Sequence, residues 1–159
     1  MQISPIGMIK TPFNDLKGMP IQPSGARDIQ GTIEIHPEYE QGLRNVEGFS
    51  HIILLYHFHK STGYDLMVTP FLDNKERGLF STRAPRRPNP IGLSIVELLG
   101  RQGPRLFIKG IDVVNNTPLI DLKPYVPEFD IKKVTATGWL EKGRENVSMA
   151  KSDDRFINP

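Results

Sequence analysis

Glycine and proline recur along the whole chain, and their density is the feature that most limits what it can fold into. Together they make up 28 of the 159 residues, or about 18%, whereas average proteins contain about 12%. An interior proline removes a backbone donor and clashes with the preceding helical turn. Few long helices fit between so many of these residues, so the sequence predicts short strands joined by shaped loops.

The length predicts one domain, because single cores typically form from chains of this size. The chain contains no cysteine, which excludes disulfides, thiolate metal sites and cysteine nucleophiles and favours a reducing compartment. No apolar run approaches the roughly 18 residues of a membrane span, and the first residues lack the pattern of a signal peptide. We therefore expect a soluble cytoplasmic protein.

The apolar pattern predicts strands rather than helices. Residues 31–36 alternate between apolar and polar side chains, and residues 49–60 form a dense apolar run typical of a central strand. The segment 38–48 is expected to form a short helical turn. Further strands are predicted at Ile3–Ile9, Leu66–Phe71, Gly78–Thr82, Gly92–Leu99, Leu106–Val114, Pro118–Leu122 and Val134–Trp139. This spacing favours an all-β barrel or sandwich over a βαβ series. We divide the chain into a barrel domain, 1–140, and a polar C-terminal extension, 141–159.

Positive charge is concentrated in the segment STRAPRRPNPIG, residues 81–92. No acidic residue lies between Glu76 and Glu97, and the net charge of the whole chain is +2. Three prolines restrict the backbone of this loop, so we expect it to be stiff without a hydrogen-bonded ladder. A stiff loop with several guanidinium groups suits recognition of carboxylates or phosphates. The alternative is a proline-rich loop with solvated arginines.

Two other clusters carry polar side chains. On an extended backbone, Asp121, Lys123 and Tyr125 share one face, either as a site or as a surface ion pair beside a tyrosine. His51, His57 and His59 also share a strand face and could ligate zinc or iron. Without cysteine or an HExxH motif, a ligand pocket or hydrogen bonding in a barrel wall is the better interpretation, so we predict no metal.

Four segments resemble the tRNA threonylcarbamoyladenosine N6-methyltransferase family, in its short archaeal-type members. They are IEIHPEY (33–39), EGFSHIILLYHFH (47–59), FSTRAPRRPNPIGLSIVEL (80–98) and GIDVVNNTPLIDLKPYVP (110–127). The resemblance implies a compact non-Rossmann β-barrel with short helical segments, which pairs as a homodimer. It also implies an S-adenosylmethionine-dependent methyltransferase that acts on N6 of threonylcarbamoyladenosine beside the anticodon of tRNA. The absence of GxGxxG, GxxxxGK[ST] and GxSxG motifs agrees with such a site.

The resemblance also assigns residues to the methyl-donor site. These are Gln22, Pro23 and Ser24, then His59, Lys60, Arg83 and Ile95, and finally Asp112, Val113, Val114 and Asn115. Many bacterial relatives have glutamine in place of Lys60 and threonine-histidine in place of Pro85 and Arg86.

We further predict roles toward the acceptor. Asp121 or a nearby group is expected to assist proton removal, and Lys123 to stabilise developing charge. Arg86, Arg87, Asn89 and Tyr125 are assigned to substrate binding, and Tyr64 and Phe71 are candidate stacking platforms for unpaired bases. Two alternatives remain open: a methyltransferase for another substrate, and a barrel that binds S-adenosylmethionine or RNA without this activity.

Overall fold

Six antiparallel strands form a closed barrel in the computed structural model, which describes residues 1–17, 19, 26–71 and 73–142. Their bounds are β1 Gly7–Lys10, β2 Gln30–Ile35, β3 His51–His57, β6 Ile91–Gln102, β7 Arg105–Lys109 and β8 Thr117–Pro124. The hydrogen-bonded order is β1-β2-β7-β6-β3-β8, and β8 pairs with β1 to close the barrel. A separate two-stranded sheet pairs β4, Met67–Val68, with β5, Arg77–Gly78.

The core lies inside the barrel because strand side chains alternate between more and less buried positions, most regularly on β3 and β6. On β6, residues 92, 94, 96 and 98 are buried, and residues 91, 93, 95, 97 and 99 are exposed. Side chains completely shielded from solvent include Ile9, Ile33, Ile52, Leu54 and Leu106. On these strands the two-residue period therefore separates a packed interior from an outer face, whereas the second half of β8 does not alternate in burial.

Helices are short, as the glycine and proline density predicts. The 3₁₀ segments that lie wholly within the described residues span Pro37–Leu43, Val46–Gly48, Leu79–Ser81 and Gly138–Lys142, and an α-helical turn, α1, spans Pro127–Asp130. The first two occupy the segment 38–48, so the predicted helical turn there is confirmed. None of the helices in the described part of the chain is long and apolar enough to span a membrane.

The mainly β fold is confirmed, but several predicted strands have other bounds. The predicted strand Leu106–Val114 ends at Lys109, because Gly110 has a φ of 87° that diverts the chain. Ile3–Ile9 is shortened to β1, and Leu66–Phe71 contains only β4. In contrast, β6 extends to Gln102, beyond the predicted end at Leu99.

Two predicted strands are wrong. Most of Gly78–Thr82 is the 3₁₀ turn Leu79–Ser81, and Val134–Trp139 has no strand pairing. The second error has a physical cause: every neighbouring pair of barrel strands is already hydrogen-bonded, so no barrel edge is open to another strand. Trp139 instead donates its indole N–H to the carbonyl of Ser81 at 2.8 Å. Residues 143–159 of the predicted extension lie outside the described residues.

Candidate functional site

A chain of three polar side chains runs from the barrel interior, where Tyr56 and Ser94 are buried, to the partly buried Asp112. Ser94, on the inner face of β6, donates its hydroxyl to Oδ1 of Asp112 at 2.8 Å. The hydroxyl of Tyr56, on β3, lies 3.0 Å from the same Ser94 oxygen. Because the single Ser94 hydrogen is directed to the carboxylate, Tyr56 donates to Ser94. The three groups thus form a hydrogen-bonded relay from the barrel core to the segment after β7.

Burial changes the acidity of both ends of this relay. It raises the pKa of Asp112 from 3.8 to about 6, although the hydrogen bond from Ser94 and the charge of Arg83 oppose the rise. Burial, followed by the negative charge of Asp112, raises the pKa of Tyr56 well above its usual value of 10.0. A carboxyl group that titrates near neutral pH in a partly enclosed site is typical of functional sites.

Gly92 makes room for the Tyr56 ring. The two residues face each other across the β3–β6 pair, and a methyl group at Gly92 would overlap carbons of the Tyr56 ring. Tyr56 also packs edge-to-face against Phe58, with ring centroids 5.5 Å apart. The glycine of the RPNPIG segment therefore sets the position of the tyrosine at the start of the relay.

The segment that follows β3 places two predicted donor residues, His59 and Lys60, beside the arginine-rich loop. The amide of Phe58 donates to the carbonyl of Pro90 at 2.8 Å. Nδ1 of His59 and Oγ of Ser61 are buried and have no hydrogen-bond partner among the described residues. Burial, assisted by the charge of Lys60, lowers the pKa of His59, which favours the neutral ring. His59 and Ser61, two positions apart in the chain, therefore offer buried polar atoms that a ligand could satisfy.

The arginine-rich loop is predicted over residues 81–92 without a hydrogen-bonded ladder; residues 82–90 contain no strand, but Ile91 and Gly92 belong to β6. The arginines of the loop have different surroundings. Arg86 is only 8% exposed, and its Nε donates to Asp65 at 2.8 Å. Arg87 donates to the carbonyls of Thr82 and Ala84. Arg83 is exposed, and its charge acts on Asp112. The loop thus combines one internal ion pair with one exposed guanidinium near the buried relay.

Asn115 has a structural role. Its Oδ1 accepts the amide of Thr11 at 3.2 Å, and its Nδ2 donates to Oδ1 of Asn14 at 3.1 Å. The Thr11 hydroxyl also donates to the carbonyl of Val113 at 2.8 Å. Val114 is buried, and its carbonyl accepts the Thr117 hydroxyl. These bonds join residues 11–14, which begin the loop after β1 and are called the early loop, to the segment 112–116.

The predicted catalytic residues lie on the outer face of the barrel. Asp121 and Lys123 form an ion pair of 2.6 Å, with both side chains about half exposed, while Leu122 packs against the core. In the register of β8, β3 and β6, two rows cross this face: Asp121–Leu55–Leu93 and Lys123–Ile53–Ile95. The fold therefore brings the predicted catalytic pair onto the same face as the predicted donor residue Ile95, two strands away, or about 10 Å.

The remaining predicted residues do not converge to the same degree. Asn89 is exposed, and the Tyr125 ring packs edge-to-face against His51 at 6.4 Å. His51 and His57 occupy opposite ends of β3, and among the residues described, no three potential ligands from His, Asp and Glu come together. Gln22, Pro23 and Ser24 lie outside the described residues.

Sequence reasoning missed two residues of the relay, Tyr56 and Ser94. One signal could have found the serine, because it is the polar residue in the buried phase of β6, where its neighbours in that phase are Gly92 and Val96. A buried hydroxyl needs a hydrogen-bond partner. The tyrosine gave no comparable signal, since aromatic residues are common in buried strands.

The fold and the site define a class: small antiparallel β-barrel proteins with a carboxyl group of raised pKa near an arginine-rich loop, distinct from βαβ nucleotide-binding domains. The chain belongs to the family described as the tRNA-methyltransferase O N-terminal domain, whose model matches residues 8–131. The family membership predicted from the four segments is therefore confirmed.

Individual relatives agree with this assignment. The chain is 49% identical to a probable S-adenosyl-L-methionine-binding protein of Pyrococcus abyssi, over 97% of this chain and 84% of that protein. It is 35% identical to the human tRNA (adenine(37)-N6)-methyltransferase, over 79% of this chain and 30% of that protein. The crystal structure of TrmO from Pseudomonas aeruginosa matches with a TM-score of 0.73 and 36% identity, over 87% of this chain and 62% of that one.

Proposed function

We propose that this protein is an S-adenosylmethionine-dependent methyltransferase that modifies N6 of threonylcarbamoyladenosine at position 37 of tRNA. The observation that carries the proposal is the family match across the barrel, which includes every described residue of the predicted donor set. The human relative named for adenine 37 of tRNA supports the acceptor, and the Pyrococcus relative named for S-adenosyl-L-methionine binding supports the donor. A cytoplasmic location belongs to the same proposal, since tRNA is the substrate.

The residues fit the donor. Nδ1 of His59 and Oγ of Ser61 are buried polar atoms that lack partners within the described structure, and the Asp112 carboxylate can accept further hydrogen bonds. We assign donor binding to Gln22, Pro23, Ser24, His59, Lys60, Arg83, Ile95, Asp112, Val113, Val114 and Asn115. When bound, S-adenosylmethionine supplies a methyl group on a sulfonium with a good neutral leaving group. The protein's own contribution is then largely placement of the two reactants.

The acceptor nitrogen is a weak nucleophile, because its lone pair is shared with the adenine ring and the ureido carbonyl. Asp121 is the proposed group that takes the N6 proton, and Lys123, 2.6 Å away, stabilises the developing negative charge. Arg87 is better placed for the substrate carboxylate or a phosphate than Arg86, whose Nε is bonded to Asp65 inside the protein. Asn89 and Tyr125 complete the proposed substrate set.

The proposal includes a homodimer. The outer face of β6 exposes four large apolar side chains: Ile91, Leu93, Ile95 and Leu99. Exposed Glu97 lies between Ile95 and Leu99 on this face, so its apolar part is the row from Ile91 to Ile95. An exposed apolar row of this kind is typical of an interface, and a second copy that covers Ile95 would enclose the donor site. Leu93→Glu is expected to shift the protein to monomers in sedimentation and to weaken donor binding, whereas Glu128→Gln, at an exposed position on α1, changes neither.

One experiment tests the reaction. The protein is incubated with methyl-labelled S-adenosylmethionine and tRNA that carries threonylcarbamoyladenosine, with unmodified tRNA in parallel, and the digested nucleosides are identified. Label in the methylated threonylcarbamoyladenosine supports the proposal. Label in another nucleoside or small carboxylate identifies a different methyltransferase, and donor binding without transfer identifies a binding module.

The roles of individual residues are tested by single-turnover rates. Asp121→Asn is expected to lower the rate without altering donor affinity, with Glu128→Gln as the matched carboxylate control. An unchanged rate in Asp121→Asn removes this residue from the mechanism. Arg87→Ala is expected to weaken tRNA binding, and unchanged affinity and turnover together contradict its assignment.

A further inference from the structure

Phe80 has an exposed aromatic ring and lies on the 3₁₀ turn Leu79–Ser81, whose backbone is fixed by packing and hydrogen bonds. Phe80 is 77% exposed, whereas its neighbour Leu79 is 1% exposed. Leu79 packs in a small core with Val68 and Ala84, and its amide donates to the carbonyl of Leu66 at 2.9 Å. The turn is therefore fixed to the protein while one large apolar side chain stays in solvent.

Hydrogen bonds hold the same turn on its other side. The Trp139 indole donates to the carbonyl of Ser81, and the Ser81 hydroxyl donates to the carbonyl of Gly78, both at 2.8 Å. The Thr82 hydroxyl donates to the carbonyl of Leu79, also at 2.8 Å. Because the backbone of this turn is already ordered, the turn loses little conformational entropy when a partner covers the Phe80 ring.

A positively charged side chain, that of Arg87, lies next to the ring. The guanidinium carbon of Arg87 lies 5.8 Å from the centroid of Phe80, a cation–π distance. Arg87 is held there by its bonds to the carbonyls of Thr82 and Ala84, and no acidic residue occurs between Glu76 and Glu97. The exposed ring is thus next to a guanidinium that has no carboxylate neighbour in this stretch of sequence.

We propose that Phe80 and Arg87 form a stacking platform for an unpaired base of single-stranded RNA. An aromatic face stacks on bases of any sequence, and adjacent arginines attract the phosphates that connect them. A second copy of this chain would meet the same positive charge, so a polyanion is the better occupant. The inference rests on the proposed function, because it assigns the platform to the tRNA substrate. It adds to Tyr64 and Phe71 a residue that the sequence did not single out.

The test is binding of the full chain to a short RNA stem–loop with unpaired loop bases, compared with the fully paired duplex of the same stem, without methyl donor. Phe80→Ala is expected to weaken stem–loop binding by about 5- to 100-fold and to leave duplex binding nearly unchanged. Phe80→Trp should retain affinity. Phe80→Leu should behave like Phe80→Ala, because it keeps apolar area but loses the aromatic face. Phe129→Ala, at another ring that is 73% exposed, is the control and should bind normally.

Several results would overturn the platform. Three of them are binding results: no stem–loop binding by the unaltered protein, stem–loop binding by Phe80→Ala equal to that of the unaltered protein, or normal binding by Phe80→Leu. The fourth is a loss of dimers in sedimentation of Phe80→Ala, which would mean that a second copy covers the ring. The proposed function fails separately. If the unaltered protein transfers no methyl group to tRNA but binding depends on Phe80, the platform stands; if it methylates tRNA and Phe80→Ala does so equally well, the platform is wrong.

Discussion

Replacement of Asp112 by asparagine should stabilise the protein at neutral pH. The carboxyl group has a pKa of about 6 in the folded chain and 3.8 without the fold, so folding disfavours its ionised form. Asparagine has nearly the same shape and keeps an oxygen that can accept the Ser94 hydroxyl. The substitution therefore removes the charge while it preserves the hydrogen bond.

The size of the effect follows from the two pKa values. Each unit of difference between the folded and unfolded chain is worth about 1.4 kcal/mol, so ionised Asp112 reduces the free energy of unfolding by about 3 kcal/mol at pH 7. The folded pKa is the higher one, so this penalty decreases as pH falls through 6 and disappears below 3.8. At pH 5 it is about 1.5 kcal/mol.

The assay is urea unfolding of the unaltered protein and Asp112→Asn at pH 7 and pH 5, without ligand. We take the free energy of unfolding of Asp112→Asn minus that of the unaltered protein. This difference is expected to be about 1.5 kcal/mol larger at pH 7 than at pH 5. Asp121→Asn, in a half-exposed surface ion pair, is the control and should change stability by less than about 1 kcal/mol at either pH. An equal difference between Asp112→Asn and the unaltered protein at both pH values would refute the argument that burial raises the pKa of Asp112.

The other predictions concern packing around the relay and the loop. Gly92→Ala should lower the free energy of unfolding by about 2 kcal/mol, because the added methyl group overlaps the Tyr56 ring. The control is Gly100→Ala, on the same strand with open space around it, which should be nearly neutral in thermal unfolding. Ser94→Ala leaves the Tyr56 hydroxyl without its acceptor and should cost about 1–3 kcal/mol in urea unfolding; a smaller loss would mean that the relay is replaceable. Arg86→Ala should cost about 1–3 kcal/mol, mainly through lost packing and the bond to a half-exposed carboxylate, and a loss that vanishes in high salt would instead indicate a screened surface pair.

The barrel was predictable because its determinants are local. The alternation along β6 and the apolar run at β3 specify which face is buried, and glycine and proline end the strands. Val134–Trp139 shows the limit of such patterns. Whether an extended segment finds a partner depends on a free sheet edge, and the distant pairing of β1 with β8 leaves none in this barrel.

The site was predictable only in part. Asp112 and Arg83 were assigned to the donor site by resemblance, and the structure brings their charges close enough to interact. The partners of Asp112 come from β3 and β6, far away in sequence, so only their polar character at a buried position could hint at them. The internal pairing of Arg86 with Asp65 was hidden for the same reason, since the two residues are 21 positions apart.

The bonds of Asn115 affect how mutations near the donor site should be interpreted. Because Asn115 is hydrogen-bonded to residues 11 and 14 and belongs to the segment that carries Asp112, the positions of these two parts of the chain depend on each other. A substitution at Asn115 therefore acts at two places, and a loss of donor affinity would report a displaced early loop as readily as a lost contact. Thr11→Val removes both bonds of the Thr11 hydroxyl, the one it donates to the carbonyl of Val113 and the one it accepts from the amide of Phe13. It separates the two effects, because it loosens the early loop and leaves every side-chain group of Asn115 in place.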